Sequence, residues 1–562
     1  MAESSTEHLC PGSLRLDSDR DSDISTADYN AGTGYTTNKR PETQQYQIPP
    51  VNHVSSSNTS FGQEIRRYPK IAIFTLGLAT TAFLSGYDNV IVNTVPSIAQ
   101  FKKDFGEQYG AEHEYIIPSM WLSLWSALGC LGGMIGALVS GPWQDRVGRR
   151  WPLAIGSLLS AVAVAIVYTS NLPAGITVRR TMFLIGEMIQ GLVIGVLQTT
   201  AHTYISETVP AGLRGSAMAL IPTLVLTGQL AGALVCLGAS DGDAQSSYLV
   251  AFGSMWAFCV APLVVAILIP ESPAFLIRHG RLADAHSALK KLHRKDQDCE
   301  QIIEDLRNTI DLERRIGQKA TYRDCFRGSD RRRTLIVAFT SVMPCFFGLS
   351  LLSNASYFLQ LIGMDDKVSL VMFALGIGLG LVANAVSVWI NTFFTRRFLM
   401  LITLSVTTLL WLGMGISGFW SGPGMIWWTA GSMIAIIIFC GVGVWPSSYA
   451  VTAETSSLRL RAKTLGIGIL SVYAATIVFS FTIPYVYNRD AGNLGAKTGF
   501  VYFGLCLITT AGVWWAIPEM KGRSSFEIDH MFEKGLSARK FKDWSGDGSE
   551  GGELRNRGLE HE

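Results

Sequence analysis

Twelve long apolar runs, separated by short polar loops, dominate the chain from Lys70 onward. Each run is about twenty residues long, which is the length that an α-helix needs to cross about 30 Å of hydrocarbon. The runs are continuous and do not alternate residue by residue, so they predict helices and not the strands of a membrane barrel. The predicted spans are 71–95, 116–140, 151–170, 181–204, 215–238 and 249–269, followed by 334–360, 368–391, 398–418, 425–452, 463–487 and 498–517.

The polar positions between the runs repeat at a nearly constant spacing. The charged loop Gly141–Arg150 after the second span has a counterpart in Asn391–Arg397 after the eighth, with Asp145 and Asn391 separated by 391 − 145 = 246 residues. The other matched positions are Glu207 with Glu454 and Arg214 with Arg461, both 247 apart, and Pro270 with Pro518, 518 − 270 = 248 apart. Three matched motifs at nearly the same offset indicate a duplicated unit of six spans.

Polar segments divide the chain into five parts. Residues 1–69 are rich in Ser, Thr, Asp, Asn and Gln, and we expect them to form a disordered cytosolic tail. Residues 271–333 alternate apolar and charged positions at helical spacing, which predicts two or three short cytosolic helices between the halves. The predicted parts are the tail 1–69, a six-helix bundle 70–270, the linker 271–333, a second six-helix bundle 334–518 and a solvated cytosolic tail 519–562.

Composition and charge agree with a membrane protein. Only 16% of the residues are charged, against roughly 25% in an average soluble domain. A net charge of +2 is too small to indicate a nucleic-acid partner, and most of the nine cysteines lie inside apolar runs, where thiols behave as small hydrophobic groups. Lys and Arg collect in the linker and in the loops on its side of the membrane, so both chain ends are predicted to be cytosolic. Arg179 and Arg180 run against that rule.

Five motifs together resemble the sugar porter family of the major facilitator superfamily. The first four are the charged loop after span two, the Glu-x6-Arg pairs after spans four and ten, and Pro-Glu-Ser-Pro after span six; the fifth is Pro-Glu-Met-Lys-Gly after span twelve. Gly-Tyr-Asp at 86–88, residues 186–191, 196–210 and 459–464 look like fungal α-glucoside (maltose-type) permeases. The resemblance implies a carrier of two six-helix bundles, the major facilitator fold, that works by alternating access and is driven by a proton gradient.

Charged residues at the cytosolic helix ends suit a gate. They could pair across the cytosolic face when the carrier opens outward and separate when it opens inward, so that a network of pairs would shift a two-state balance. The candidate gate residues are Asp145, Arg149, Glu207, Arg214, Glu454 and Arg461. The alternative is that the arginines only hold the orientation in the membrane. Asn391 and Thr395 replace an acid and a glycine in the second copy, so we expect an asymmetric gate.

Two carboxylates inside predicted spans are candidates for proton coupling. A carboxylate within a span is costly unless it is neutral, paired or lines a cavity, and Asp88 lies well inside span one. Glu187 in span four occupies a place where many sugar porters carry arginine and the α-glucoside permeases carry glutamate. We expect the two to face one cavity and to titrate as a coupled pair. The alternative is that both acids are structural.

The resemblance also implies sugar-binding residues. Gln229 matches a sugar-contacting glutamine of the family, and Ser350 and Tyr449 stand where the family has asparagine and tryptophan. Departures from the pattern predict a less polar cavity: Pro222 and Pro344 replace glutamines, and Trp445 enters the family's Gly-Pro element. Glycines at small-xxx-small spacing, such as Gly129 and Gly133 or Gly191 and Gly195, predict closely packed helices.

Three functions remain open at this point. The first is a proton-coupled importer of α-glucosides or hexoses, the second a transporter of a non-sugar metabolite such as a fungal secondary product, and the third a non-transporting sugar sensor. The sequence holds no metal-ligand cluster, P-loop or catalytic triad, so we expect neither an enzyme nor a cofactor. The expected partners are a small molecule and membrane lipid, and we expect a monomer in the plasma membrane.

Overall fold

Long helices make up almost all of the described chain. The structure is a computed structural model that describes residues 66–541 and 544, except for 111–113, 241–245, 294–298, 318–320, 458 and 524. The predicted tail 1–69 therefore lies almost entirely outside the described residues.

The first half contains six long helices and a small hairpin on the loop between the first two. The elements are α1 (Pro69–Thr94), α2 (Ala99–Phe105), β1 (Glu107–Tyr109), β2 (Glu114–Ile116), α3 (Ser119–Val147), α4 (Arg150–Thr169), α5 (Ile176–Thr208), α6 (Ala211–Ala239) and α7 (Ser246–Leu268). The two strands pair antiparallel, with Gln108 opposite Tyr115.

Three short helices connect the halves, as predicted for the linker. They are α8 (Pro273–Arg278), α9 (Leu282–Leu292) and α10 (Cys299–Gly317). Ser272 caps α8 through its side chain, which accepts a hydrogen bond from the backbone N–H of Phe275. Ala285 and Ala288 of α9 pack on the apolar side of α8, and Ile303 of α10 joins the same small core.

The second half repeats the arrangement with two interruptions. Its elements are α11 (Gly328–Phe346), α12 (Leu349–Ser353), α13 (Ala355–Leu361), α14 (Asp366–Phe393), α15 (Arg396–Ser417), α16 (Pro423–Phe439), a π-helical turn Cys440–Val444, α17 (Trp445–Thr455), α18 (Arg461–Tyr487) and α19 (Gly499–Ala516). The predicted span 425–452 corresponds to α16, the π turn and α17, which run on without a loop.

The seventh span is broken where the sequence predicted one continuous helix. Eleven helices of the described chain are long and apolar enough to cross a membrane, and the seventh span, split into α11, α12 and α13, completes the twelve. Gly348 separates α11 from α12 at φ +104°, a conformation that favours glycine, and an added Cβ would lie 2.5 Å from Trp411. Pro344 lies one turn earlier in α11 and adds to the break because it lacks a backbone donor.

The segment after Pro518 is a docked structure and not the predicted solvated tail. A short helix, α20 (Ser525–Glu533), packs against the start of α11. Arg333 is buried, forms an ion pair with Asp529 and stacks over the ring of Phe532 at 4.6 Å. Met531 and Phe541 are also fully buried, so apolar contact holds this segment in place at least as far as residue 541.

Close glycine packing joins α3 to α5, as the small-xxx-small pattern predicted. A Cβ added to Gly136 would lie 1.9 Å from the carbonyl oxygen of Leu192, and one added to Gly191 would lie 2.1 Å from that of Gly129. Side chains cannot occupy such gaps, so the glycines allow the backbones of the two helices to touch.

Successive spans run in opposite directions and give the molecule two faces. We call the side with α8 to α10, α20 and the α3–α4 turn the tail face, and the side with the β1–β2 hairpin the opposite face. Lys70 at the start of α1 reaches the backbone of His293 at 3.4 Å, which places the start of α1 on the tail face.

Candidate functional site

A central cavity lies between the two halves and contains about 690 Å³ of empty space. Helices α1 and α6 of the first half contribute to it, together with α12, α14, α16, the π turn and α17 of the second half and Phe347, directly after α11. Its lining residues are Asn89, Val90, Leu226, Gln229, Phe347, Leu349, Leu352, Ser353, Phe373, Ile377, Gly380, Asn384, Ile437, Cys440, Gly441 and Trp445.

The lining is mostly apolar and carries no charged side chain. The side-chain hydrogen-bonding groups in it are the amides of Asn89, Gln229 and Asn384, the hydroxyl of Ser353 and the indole N–H of Trp445. An uncharged ligand fits such a cavity, because an ionised group would be desolvated there without a counter-ion. Amide groups both donate and accept hydrogen bonds, so three of them can orient hydroxyl or carbonyl groups of a ligand.

Irregular backbone shapes the second-half side of the cavity. The π turn Cys440–Val444 directly precedes Trp445, and π turns inside helices are frequent at functional sites. Glycine is needed within this turn, since a Cβ on Gly443 would lie 2.3 Å from Thr403 of α15. At the other break, the indole N–H of Trp411 donates to the carbonyl of Phe347 at 3.1 Å and holds the end of α11.

Of the three residues predicted to bind sugar, only Gln229 lines the cavity. Ser350 is buried and lies outside the lining, where Ser353 of the same short helix takes its place. Tyr449 lies one helical turn beyond Trp445 toward the tail face and is 59% exposed, also outside the lining. The break in the seventh span and the π turn change which side chains face inward, and neither could be placed from spacing alone.

The two predicted proton-coupling residues lie together inside the first half. Asp88 is 8% exposed and Glu187 is 3% exposed, and the two carboxylates are close enough to act on each other's charge. The Gln190 side chain lies beside Asp88, while its carbonyl oxygen accepts a hydrogen bond from Ser160 at 3.0 Å. The two carboxylates therefore lie near each other in the interior of the first half, one on α1 and one on α5.

The carboxylate pair lies outside the lining of the central cavity in this structure. Asn89, the residue next to Asp88, belongs to that lining. One oxygen of Asp88 and one of Glu187 are buried without a hydrogen-bond partner. Unsatisfied buried carboxylate oxygens are costly when charged, so the site is suited to hold a proton.

Arg149 is the centre of a charged network on the tail face of the first half. Its guanidinium is 2% exposed and contacts Glu207 at 2.7 Å, Asp145 at 3.4 Å and the backbone carbonyl of Gln144 at 3.0 Å. It also stacks over the ring of Phe275 in α8 at 5.1 Å. The network ties the α3–α4 turn to the end of α5 and to the start of the linker.

Glu207 is shared by two further groups of the linker. The hydroxyl of Ser272 donates to it at 2.6 Å, and Arg278 contacts it at 3.3 Å. Glu271 accepts a hydrogen bond from the backbone N–H of Arg149 at 2.8 Å. The sequence did not single out Ser272 or Glu271 as members of this network.

In the second half, the ion pair of Glu454 repeats that of Glu207, since its partner Arg396 lies 396 − 149 = 247 residues after Arg149 and Glu454 lies 454 − 207 = 247 residues after Glu207. Glu454 forms an ion pair with Arg396, whereas Arg461 is exposed at the start of α18. Asn391, which replaces the acid of the first copy, accepts a hydrogen bond from Ser447 at 3.4 Å. The side chain of Arg214 lies outside the described residues. Within the described chain, each of these tail-face ion pairs lies inside one half or, for Arg278 with Glu207, joins the first half to the linker, and none joins the two halves.

Polar contacts between the halves lie on the opposite face instead. Lys102 of α2 forms an ion pair with Asp366 at 3.2 Å and a hydrogen bond with Gln360 at 3.0 Å. Gln360 in turn donates to the backbone carbonyl of Ser97 at 2.9 Å.

The loop after α18 forms a second set of such contacts, which we call the 488–490 latch. Arg489 pairs with Glu114 of the hairpin, and Asp490 accepts a hydrogen bond from the backbone of Ser119 at 2.7 Å. Asn488 donates to the carbonyl of Ile117 at 2.8 Å. Sequence patterns did not point to this latch, because its members lie in loops far apart along the chain.

Residues 74–532 match the sequence profile of the family described as "Sugar (and other) transporter". The chain belongs to this family. It is therefore a membrane transporter protein and not an enzyme, as its sequence predicted. The match covers both halves and the linker.

Relatives of this transporter are known in fungi. It is 32% identical to the MFS transporter fmqE of Aspergillus fumigatus over 477 residues, which cover 81% of this chain and 85% of that protein. It is 29% identical to the alpha-glucosides permease MPH3 of Saccharomyces cerevisiae over 488 residues, which cover 85% of this chain and 80% of the permease.

Solved structures show the same fold. The partially occluded, inward open structure of the xylose transporter XylE from E. coli matches with a TM-score of 0.65 at 19% identity, over 81% of this chain and 100% of that one. The XylE structure with bound 6-bromo-6-deoxy-D-glucose matches with a TM-score of 0.61 at 20% identity, over 83% of this chain and 99% of that one. The fold is the twelve-helix fold of the major facilitator superfamily, as predicted.

Proposed function

We propose that this protein is a proton-coupled carrier that takes up an α-glucoside or another sugar by alternating access. The observation that carries the proposal is the buried pair Asp88 and Glu187, next to a central cavity with three amide side chains. The α-glucoside permeases among its relatives support a sugar as cargo. We place the carrier in the plasma membrane with the tail face in the cytosol.

The distribution of polar contacts supports alternating access. The halves are joined by ion pairs at Lys102 and Arg489 on the opposite face, while none of the tail-face ion pairs of the described chain joins them. A carrier closed on the outside and open toward the cytosol has this arrangement. We infer that the reverse state breaks the outer contacts and brings the two tail-face clusters together as a cytosolic gate. Asp145, Arg149, Glu207, Arg214, Glu454 and Arg461 remain its candidate members.

Helix α1 offers a physical link between the proton site, the cavity and the outer contacts. Asp88 belongs to the carboxylate pair and Asn89 lines the cavity, while Ser97, directly after α1, holds Gln360 of the second half. Two adjacent buried carboxylates repel each other when both are charged, and one proton removes that repulsion. A proton bound from the outside would therefore favour one position of α1 and one conformation of the carrier.

The test is uptake of labelled maltose and glucose by a transporter-deficient yeast that expresses this chain, at acidic and at neutral outside pH. We expect acid to stimulate uptake, and we expect Asp88→Asn and Glu187→Gln to remove the stimulation. Asp284→Asn is the matched control, because that acid is exposed on α9 and pairs only locally with Arg281. Uptake that is equally acid-stimulated in Asp88→Asn and the control would refute the coupling site.

A second candidate is export or uptake of a non-sugar metabolite. The cavity lining supports it, since apolar side chains such as Val90, Leu226 and Ile377 outnumber the hydrogen-bonding ones. Surface-expressed protein that transports neither sugar in the yeast assay would favour this candidate. Flux of any substrate in vesicles that contain the purified protein would exclude the third possibility, a sensor that does not transport.

A further inference from the structure

Two aromatic rings stand side by side in the second-half wall of the cavity. The rings of Phe347 and Trp445 have centroids 6.4 Å apart at an interplanar angle of 55°, and both residues line the cavity. Phe373 of α14 adds a third aromatic ring to the lining. The hydrogen bond from Trp411 to the backbone carbonyl of Phe347 holds the backbone that carries the first ring, and the π turn directly precedes the second.

The hydrogen-bonding groups of the lining are few and come from both halves. The first half contributes the amides of Asn89 and Gln229, and the second contributes the amide of Asn384, the hydroxyl of Ser353 and the indole N–H of Trp445. These five groups can serve a molecule with one cluster of hydroxyl groups. A larger sugar with hydroxyls on every side would place several of them against apolar side chains, where they would have no partner.

We propose that the cavity selects an uncharged molecule in which a monosaccharide-sized polar part is joined to an aromatic ring, and that Trp445 determines this selectivity. The aromatic part lies against Phe347 and Trp445, where tilted or offset ring contacts are favourable. The polar part lies among the amides of Asn89, Gln229 and Asn384. This inference rests on the proposed transport function, of which it names the substrate class.

In this proposal, the place beside Trp445 favours an aromatic ring over a second sugar ring, so maltose is a weaker ligand than an aryl glucoside. The indole of Trp445 lines the same part of the cavity as Cys440 and Gly441 of the π turn, and the face of the indole is apolar. A second hexose in the same place would lose water from its hydroxyls without gaining equivalent partners. Replacing the indole by a small side chain removes the ring contact and enlarges the cavity on that side.

The experiment measures ligand binding to the purified full-length protein in lipid nanodiscs by calorimetry. The probes are phenyl α-glucoside, methyl α-glucoside, which has the same sugar without the ring, and maltose. We expect the phenyl compound to bind about tenfold more tightly than the methyl compound, and more tightly than maltose. In Trp445→Ala this ratio should fall to about one, while Trp445→Phe should retain most of it.

Trp389→Ala is the matched control, because this tryptophan is 67% exposed on the outer surface of α14 and is not part of the cavity. Equal binding of the phenyl and methyl compounds, tighter binding of maltose, no binding of any probe, or a preference that survives Trp445→Ala would each overturn the inference. Proton-driven maltose uptake is measured separately. If acid stimulates uptake but the phenyl compound does not bind more tightly than the methyl compound, only this inference fails. If the phenyl compound binds more tightly but acid does not stimulate uptake, only the proposed proton coupling fails.

Discussion

The contacts of the charged network around Arg149 determine how much stability the first half should lose when this residue is replaced. The perturbation is Arg149→Ala, which removes a guanidinium that is 2% exposed and 2.7 Å from Glu207. The same change removes the hydrogen bond to the Gln144 carbonyl and the stacking over Phe275. The α3–α4 turn, the end of α5 and the start of α8 would then lose their common partner.

Arg149→Ala should lower the free energy of unfolding by less than the loss of one partner of an isolated buried ion pair would. Removing one partner of such a pair costs about 3–5 kcal/mol when the other charge is left alone. Here Glu207 keeps the hydroxyl of Ser272 at 2.6 Å and the half-exposed Arg278 at 3.3 Å. We therefore expect Arg149→Ala to lower the free energy of unfolding of the first half by about 2–4 kcal/mol. Asp145→Ala touches the same guanidinium from a side chain that is 69% exposed, and it should cost at most about 1 kcal/mol.

The assay is thermal unfolding of the purified protein in detergent. A loss of about 2–4 kcal/mol corresponds to a decrease of roughly 5–15 °C in Tm for a unit of this size. Arg149→Lys should lie between the wild type and Arg149→Ala, because it keeps the charge and loses the planar stacking. Equal decreases in Arg149→Ala and Asp145→Ala, or no decrease in the former, would show that burial does not set the strength of this network.

Two other predictions concern packing and the outer contacts. Gly136→Ala should lower the free energy of unfolding by about 1–3 kcal/mol, because the added Cβ would clash with the backbone of α5. Gly141→Ala on the same helix is the control, because nothing lies within 4 Å of its added Cβ. Equal melting temperatures of the two variants would contradict this prediction. Arg489→Ala should weaken the 488–490 latch by about 1 kcal/mol, because it removes the ion pair with Glu114, and this corresponds to about a fivefold change in an equilibrium. In a protein whose only cysteine is Cys440, an impermeant thiol reagent added outside should therefore label Cys440 about fivefold faster when Arg489→Ala is present. An unchanged labelling rate would show that the latch does not hold the outside closed.

The contacts also suggest an order of importance among the charged residues. Arg149 is buried and shared by several elements, whereas Arg461 is exposed and Glu454 pairs with Arg396. Exposed pairs contribute little and respond to salt, while a buried, shared group couples the elements that it touches. We expect substitutions at Arg149 to affect folding and transport together, and those at Arg461 to affect mainly the balance between conformations.

Much of the fold could be read from the sequence because membrane spans impose a strong local signal. Each span needs a continuous apolar run, so eleven of the twelve predicted spans correspond to long apolar helices. The seventh predicted span does not form one continuous helix, because the helix breaks inside the apolar run at Gly348 and Pro344. The docked segment around α20 was missed because its few apolar residues, among them Phe532 and Phe541, become significant only against their partners on α11.

For the candidate site, the sequence identified chemical types better than positions. It pointed to Asp88, Glu187 and Gln229 because polar groups inside apolar runs are rare and costly. Ser350 and Tyr449 lie outside the cavity lining in this structure, and spacing alone could not show this, since one residue of offset in a helix turns a side chain by about 100° and a π turn adds such an offset. Asn89 and Asn384 carried no signal that separates them from other polar residues in spans.

The sequence by itself determined the number of spans, the duplication, the family and the residues that can carry charge in the membrane. These properties depend on local composition and on motif spacing, which a single chain displays directly. Only the tertiary structure decided that Asp88 and Glu187 lie close together outside the cavity lining. It also decided that Trp445 and Phe347 form one wall and that loops far apart in the chain close the opposite face. Such contacts arise from the crossing of helices far apart in sequence, so no pattern along the chain encodes them in a readable form.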